Sequence, residues 1–300
     1  MVMEHIDSFS SYHPIVNFAY FLLVFAFSMC FMHPLCLLIS FVSALNYYYY
    51  LHKEKTAQFL MKAVAPMMLL TAVINPAFNH QGKIILYYLP SGNPFTLESV
   101  VYGMAAAMML SAVLLWFGCY SSVMTSDKFV YLFGRIVPAL SLVLSMGLRF
   151  IPRFMEQFHQ VKEAQAGIRK DTSSGSIRDR MKIAFACFSI MVTWSLENAI
   201  ETADSMKCRG YGLQKRTAFS IYQIRKRDKE VLLWMGICST YLLYGSLSGG
   251  LFWRYFPSIR GTFAEGFTIS ILLTYTALCF TPVWLDKRED RRWKLSRLKI

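Results

Sequence analysis

The residues best suited to recognise a partner lie at the end of a helix-like segment, at Cys208, Arg209 and Gly210. Gly210 is a natural helix terminator, so Arg209 would stand at the C-terminal tip. A guanidinium held there can bind a carboxylate through two charge-assisted hydrogen bonds, a geometry that lysine cannot reproduce. The segment lies in a basic, mostly polar block that runs from Ser122 to Glu230.

Other chemistry receives less support from the sequence. Glu156, His159 and Glu163 could share a helix face as metal ligands, but the interleaved Arg153 and Lys162 favour a solvated or ion-paired face. No phosphate-binding loop of the G-x-x-x-x-G-K-[ST] type occurs, so we do not expect this chain to hydrolyse ATP. The seven cysteines form no C-x-x-C pair and are expected to be small buried thiols.

The elements that hold these residues belong to a membrane protein. The chain is 55% hydrophobic, and its apolar residues come in runs that lack Asp, Glu, Lys and Arg: Pro14–Leu51, Ala63–Phe78, Ser99–Thr125, Val231–Trp253 and Gly266–Leu285. A spanning helix needs about 17–25 such residues. The first run is long enough for two spans with a turn at Pro34, and the third span is short, relying on Lys62 at its end. The sequence predicts an all-α polytopic protein of about six spans.

The basic block divides the chain into three regions. We predict an N-terminal membrane region of about four spans (1–121), a cytoplasmic helical region (122–230) and a C-terminal membrane region of about two spans with a basic tail (231–300). Of the 31 Lys and Arg residues, the predicted outer loops contain Lys83, Arg254 and Arg260. The positive-inside rule therefore places both termini in the cytoplasm.

Helical periodicity is clear within the basic block. One helix is expected to follow Pro152 and to run to about Ala166, where Gly167 would break it, and the next is expected to begin near Ile177 with Ser176 as its cap. Along the second helix, apolar residues recur at Leu196, Ala199, Ile200, Ala203 and Met206, with acidic residues on the other side. Two apolar patches, 136–148 and 183–196, are short for a span, and two additional spans remain open.

The predicted spans offer packing surfaces rather than reactive groups. Carriers and intramembrane enzymes place ionisable residues at membrane depth, whereas here His33 is the candidate and is expected at the Pro34 turn. Small residues recur four apart at Gly103, Ala107 and Ser111 and in Gly245-x-x-x-Gly249. This spacing favours helix contacts within the chain and leaves a partner interface open.

Several motifs in a fixed order carry a resemblance to a known family. They are Asn75-Pro-x-Phe-Asn-His80, Thr125-Ser-Asp-Lys128, Leu132-Phe-Gly-Arg135, Arg149-Phe-Ile-Pro152, Ala164-Gln165 and Glu197 followed by Ala203-x-x-Met206-x-x-Arg209-Gly210-Tyr211. Together they closely resemble the transmembrane T component of energy-coupling factor transporters, a family that includes the transmembrane subunit of cobalt importers. The resemblance covers nearly the whole chain.

The resemblance implies a non-enzymatic scaffold of an ABC-type importer in the bacterial cell membrane. Two ABC-type ATPase subunits would bind ATP and Mg and supply the power stroke, so no cofactor is expected in this chain. A separate small membrane protein, the S subunit, would bind a vitamin or metal ion. The remaining partner would be the lipid bilayer, and the basic tail is expected to face lipid headgroups rather than nucleic acid.

The resemblance also assigns residues to the contact with the ATPases. The second coupling motif falls on Ala203, Cys208, Arg209 and Gly210, with Cys208 where alanine is usual. The first motif departs from the family pattern, because Gln165 is followed by Ala166-Gly167-Ile168-Arg169, and the register of Arg169 is open. Structural positions of the coupling helices would be Arg149, Pro152 and Glu197.

Two other classes of function are alternatives to the scaffold. A self-contained carrier or channel would need polar residues in its spans, and the charge-free runs count against it. A membrane enzyme could use the helix face that carries Glu156 and His159.

Overall fold

The computed structural model describes residues 8–88, 94–134, 138–168, 177–213, 222–262 and 265–297. The chain forms two compact units, each described here by itself. The bundle unit comprises Met1–Lys128 and Tyr222–Ile300, and the inserted unit comprises Phe129–Ile221. Residues 1–7, the predicted Ser176 cap and Arg169 lie outside the described residues.

The bundle unit is built from eight of the helices in the described part of the chain. They are α1 (Pro14–Cys30), α2 (Pro34–His52), α3 (Thr56–Phe59), α4 (Ala65–Phe78), α5 (Leu97–Val123), α9 (Lys226–Leu247), α10 (Gly266–Cys279) and α11 (Thr281–Arg297). A π-helical turn, Leu60–Val64, joins α3 to α4, and short 3-10 turns occupy Phe9–Ser11 and Lys53–Lys55. Two antiparallel hairpins pair β1 (Ile85–Tyr88) with β2 (Pro94–Thr96) and β3 (Trp253–Arg254) with β4 (Arg260–Gly261).

Helix α6 (Ser126–Gly134) begins at the end of the bundle unit and continues into the inserted unit. The rest of the described inserted unit consists of α7 (Pro138–Gly167), α8 (Ile177–Cys208) and the turn that follows α8. Helix α7 ends at Gly167 and α8 begins at Ile177, so both predicted boundaries are confirmed.

Proline fixes the turn between the first two helices. Both α1 and α2 start with proline at the first helical position, where the missing amide costs nothing. His33 precedes Pro34 in the turn, is 1% exposed, and has its Nε2 3.1 Å from the Thr262 carbonyl. The predicted turn is confirmed, and His33 lies at it.

The all-α polytopic architecture is confirmed, with five helices in the described residues long and apolar enough to span a membrane. The bent pair α10–α11 provides a sixth candidate, and α1, at 17 residues, is a shorter apolar helix. The prediction of a short third span that ends at Lys62 was wrong. The helical stretch Thr56–Phe78 is 23 residues long, and Lys62 lies inside it, in the π-helical turn.

Helix α8 is one of the five candidate spans, although its apolar patch was expected to be short for a span. Lys182 bounds the patch at its N-terminal end, but beyond the single charge of Glu197 the helix continues with the uncharged residues 198–200, so an 18-residue apolar window fits within the 32-residue helix. Length and composition therefore suit α8 to an apolar environment as well as to the predicted cytoplasmic one.

The core of the bundle unit is built mainly from buried residues of α1, α2, α5, α9 and α10, and α5 packs closely against both α2 and α4. Trp116 of α5 is fully buried and donates from Nε1 to Ser40 Oγ of α2 at 3.1 Å. At Gly103 a Cβ would lie 3.1 Å from the Ala72 carbonyl, so the absence of a side chain permits the close approach of α4. The predicted small-residue packing is confirmed here, and likewise at Gly245, where a Cβ would meet Ile271 at 2.6 Å. Gly249 instead lies in a turn with φ +81°.

Candidate functional site

Helix α7 contains a proline in its interior. The sequence suggested a helix that starts after Pro152, but α7 starts at Pro138 and passes through that residue. Pro152 has no amide hydrogen to donate to the carbonyl of Leu148, four residues earlier. The helical turn before Pro152 is weakened by the loss of this hydrogen bond. Arg149 and Arg153 lie on either side of the proline, so the turn carries a polar face.

A Schellman motif ends α8. The Tyr211 amide donates to the Met206 carbonyl at 3.0 Å, and the Gly210 amide donates to the Lys207 carbonyl at 2.9 Å. Gly210 has φ +81°, the left-handed conformation that glycine adopts without steric cost. The predicted terminator is confirmed, and Arg209 occupies the C-cap position, where the negative end of the helix dipole favours a cation.

Arg209 lines a polar groove of about 670 Å³ between α7 and α8. The groove is lined by Met146, Arg149, Phe150, Pro152, Arg153, Glu156, Asn198, Glu201, Thr202, Ser205, Met206 and Arg209. Three guanidinium groups and two carboxylates are among these side chains. Such a lining is suited to bind an acidic group of a partner, since arginine presents paired donors to a carboxylate.

Aromatic contacts hold the two walls of the groove together. The ring of Trp194 on α8 packs edge-on against Phe154 of α7, with the centroids 5.4 Å apart. The guanidinium of Arg153 lies over the same indole ring, 5.9 Å from its centroid. This cation–π contact orients Arg153 beside the groove without neutralising its charge.

The groove gathers part of the predicted site. Arg149, Pro152 and Arg209 line it, and Gly210 shapes the turn at its end. The predicted residues Glu197, Ala203 and Cys208 are exposed and are not among the lining residues. Gln165 is half-buried, and its Oε1 is enclosed without a hydrogen-bond partner in the described part of the chain.

Three charged groove residues were not predicted as part of the site: Arg153, Glu156 and Glu201. The first two follow Arg149 by four and seven residues, a spacing that places all three on one face of a helix. That spacing was available in the sequence. Among the described residues, no group of three or more His, Cys, Asp or Glu is arranged to hold a metal ion.

The inserted unit leaves most of its surface uncovered. Val161 and Cys187 are the buried residues among its described side chains. Four of the five apolar residues predicted along α8 are exposed, among them Leu196 at 61% and Ile200 at 65%, while Met206 is half-buried. A second groove of about 480 Å³ between α7 and α8 is almost wholly apolar and is lined by Ile151, Phe154, Met155, Phe158, Ala184, Phe188 and Met191. Exposed apolar area of this extent is typical of a surface that contacts a partner or a membrane.

Residues 12–219 match the CbiQ family, described as cobalt transport proteins. The chain belongs to the CbiQ family. This CbiQ-family chain is 34% identical to the energy-coupling factor transporter transmembrane protein EcfT of Lacticaseibacillus paracasei, over 31% of this chain and 35% of the relative. Identity to the protein of the same name from Listeria innocua is 31%, over 39% of this chain and 41% of the relative.

A longer match reaches EcfT of Bacillus selenitireducens, at 26% identity over 57% of this chain and 68% of the relative. In the first two relatives the match spans about two fifths of the length or less. The family match and these relatives confirm the resemblance drawn from the motifs. The CbiQ-family chain is a multi-pass membrane protein that is similar to energy-coupling factor transporter transmembrane proteins.

Proposed function

We propose that this chain is the scaffold of an ABC-type importer that couples ATP hydrolysis in two partner ATPase subunits to uptake of a vitamin or metal ion. A separate small membrane subunit binds the cargo, and ATP and Mg bind to the ATPases rather than to this chain. The scaffold itself is not catalytic. Its N- and C-termini lie in the cytoplasm of the bacterial cell.

The observation that carries the proposal is the position of Arg209. The residue is exposed at the C-cap of a 32-residue helix, its backbone is fixed by two Schellman hydrogen bonds, and its side chain lines a groove with Arg149 and Arg153. A fixed backbone lowers the entropy lost when a long side chain binds. Arg209 is thus prepared to enter a groove of an ATPase and to bind a carboxylate there.

The exposed apolar stripe of α8 supports the same proposal. Leu196 and Ile200 would bury apolar area against a membrane partner or lipid, while the groove around Arg209 takes a polar, acidic partner. One helix would then contact an ATPase at its tip and the membrane components along its length. Such a helix can transmit ATPase closure to the cargo-binding subunit, which tilts and releases its cargo.

The test is purification of the chain from its native membranes in mild detergent, followed by identification of the proteins that remain bound. The native chain is expected to retain two ATPase subunits. Arg209→Glu should lose them, because removing one partner of a buried charge pair costs about 2–5 kcal/mol and charge reversal adds repulsion. Lys182→Glu, the same charge change at an exposed position of α8 outside the groove, is the matched control and should retain both.

Retention of both ATPases by Arg209→Glu would contradict the assigned contact. If the native chain carried no ATPase and transported cargo alone in vesicles, the scaffold role itself would be wrong and a self-contained carrier would replace it.

A further inference from the structure

The chain leaves the bundle unit after Lys128 and re-enters it at Tyr222. Both attachment points contact the same short segment near the N-terminus. This segment, Phe9–His13, is called the N-terminal clamp below. It comprises the 3-10 turn Phe9–Ser11 and the two residues that lead into α1.

The first attachment point is held by a buried ammonium group. Lys128 is 6% exposed, and its Nζ donates to the carbonyl and the hydroxyl of Ser10 at 2.7 and 2.9 Å. A further hydrogen bond reaches the carbonyl of Val123 at 2.8 Å. Val123 ends α5, so the ammonium also meets the negative end of that helix. One charged group therefore joins the clamp, the end of α5 and the start of α6.

The second attachment point is held from the opposite direction. The His13 amide donates to Asp228 Oδ1 at 3.3 Å, and Asp228 Oδ2 accepts from the Arg225 amide at 2.7 Å. Arg227 Nη2 donates to the Ser11 carbonyl at 3.0 Å, and its guanidinium lies 4.6 Å from the centre of the Tyr12 ring. Two residues at the start of α9, Arg227 and Asp228, thereby tie the helix to Ser11, Tyr12 and His13 of the clamp.

Helix α11 closes the arrangement. The Phe9 amide donates to Asp286 Oδ1 at 2.8 Å, and the Tyr12 hydroxyl donates to Glu289 Oε1 at 3.3 Å. Glu289 also pairs with Arg227 at 3.4 Å. Burial, followed by the nearby carboxylate of Glu289, raises the pKa of Tyr12 to about 12, so the phenol remains a hydrogen-bond donor even in alkaline solution.

We propose that Lys128 and Arg227 are positioning residues for transport, because the N-terminal clamp binds both ends of the chain that attach the inserted unit to the bundle unit. The inference rests on the proposed scaffold function. An insertion attached at two loose joints can turn without moving the bundle, whereas two joints fixed to one segment pass the movement on. The clamp thus transmits a change in the inserted unit to α1, α9 and α11.

The test uses the complete complex, purified with its ATPases, and needs no knowledge of the cargo. Hydrogen–deuterium exchange is measured with and without a non-hydrolysable ATP analogue. In the native complex the analogue is expected to change exchange in both α8 and α9. In Lys128→Met and in Arg227→Gln the change in α8 should persist, while the change in α9 falls about fivefold or more, as expected when coupling between two sites is removed.

Arg288→Gln is the matched control for Arg227→Gln. Arg288 is exposed on α11 and lies over Trp284, 5.4 Å from its ring centroid, and its replacement should leave the response of α9 at the native level. If the Lys128→Met complex fails to assemble, the Arg227→Gln complex alone tests the proposal. The Arg227 side chain is 34% exposed, so its replacement leaves no deeply buried charge without a partner.

A native response of α9 in Arg227→Gln would overturn the clamp while leaving the scaffold role intact. A loss of the response in α8 as well as in α9 would also overturn it, since the clamp would then merely support the ATPase site. Failure of the scaffold role is recognised separately, by the absence of ATPases from the native preparation, and the clamp inference fails with it.

Discussion

The Schellman motif at the tip of α8 can be tested by adding a single methyl group. In Gly210→Ala, the φ of +81° places an L-residue in the left-handed region, at a cost of about 1–2 kcal/mol. The new Cβ would also approach Leu213 Cδ1 at 2.9 Å, a contact that a flexible side chain can relieve. The expected cost is therefore almost entirely backbone strain. Unwinding of the last turn relieves that strain and breaks the two hydrogen bonds that hold Arg209.

The assay is hydrogen exchange of the peptide that contains Gly210 and Tyr211. A strain of 1–2 kcal/mol raises the population of the opened turn roughly 5- to 30-fold, so exchange of these two amides should accelerate by about that factor. Gly147→Ala is the control, because Gly147 lies inside α7 with no atom within 4 Å of the added Cβ. That change should stabilise its helix by about 0.5–1 kcal/mol. Native exchange rates in Gly210→Ala would refute the view that the left-handed glycine holds the tip in place.

Two further substitutions probe the packing of the bundle unit. Gly103→Val should destabilise it by about 1–3 kcal/mol, measured as a lower melting temperature in detergent, because the new side chain meets the backbone carbonyl of Ala72. Tyr20→Phe should cost about 0.6–1.5 kcal/mol in SDS titration, because the buried Tyr20 hydroxyl donates to the Cys279 carbonyl at 2.9 Å. An unchanged melting temperature in the first variant, or native SDS resistance in the second, would contradict the respective packing.

The sequence predicts the helices where local signals agree. Charge-free runs, Pro14 and Pro34 at helix starts, and Gly210 at a helix end each act within one turn, and the structure places boundaries at these residues. The predicted helix start after Pro152 was wrong, because proline locally favours a helix start, whereas α7 continues through Pro152 in the folded chain. Lys62 misled in a similar way, since a charge was taken to end a span that continues past it.

The candidate site was predictable at Arg209 and only in part elsewhere. The groove depends on which faces of α7 and α8 meet, and that register is set by the contact between Phe154 and Trp194. The N-terminal clamp could not be predicted from the sequence, because its hydrogen bonds join residues that are far apart along the chain. Lys128 and Ser10 are separated by 118 positions, and Phe9 and Asp286 by 277. No local periodicity encodes a pairing over such a separation.

The charged groups form a buried set and an exposed set, and the two sets have different roles. Lys128, Asp228 and Asp286 are at most 6% exposed, and each makes a hydrogen bond of 2.7 or 2.8 Å to an atom of the same chain. A desolvated charge with internal partners fixes one arrangement of the chain, since any rearrangement would leave it unpaired. Arg149 and Arg209 are exposed and line an open groove, so their full interaction energy is available to a partner. Substitutions in the first group should therefore alter how movement passes through the chain, and those in the second should alter which protein binds.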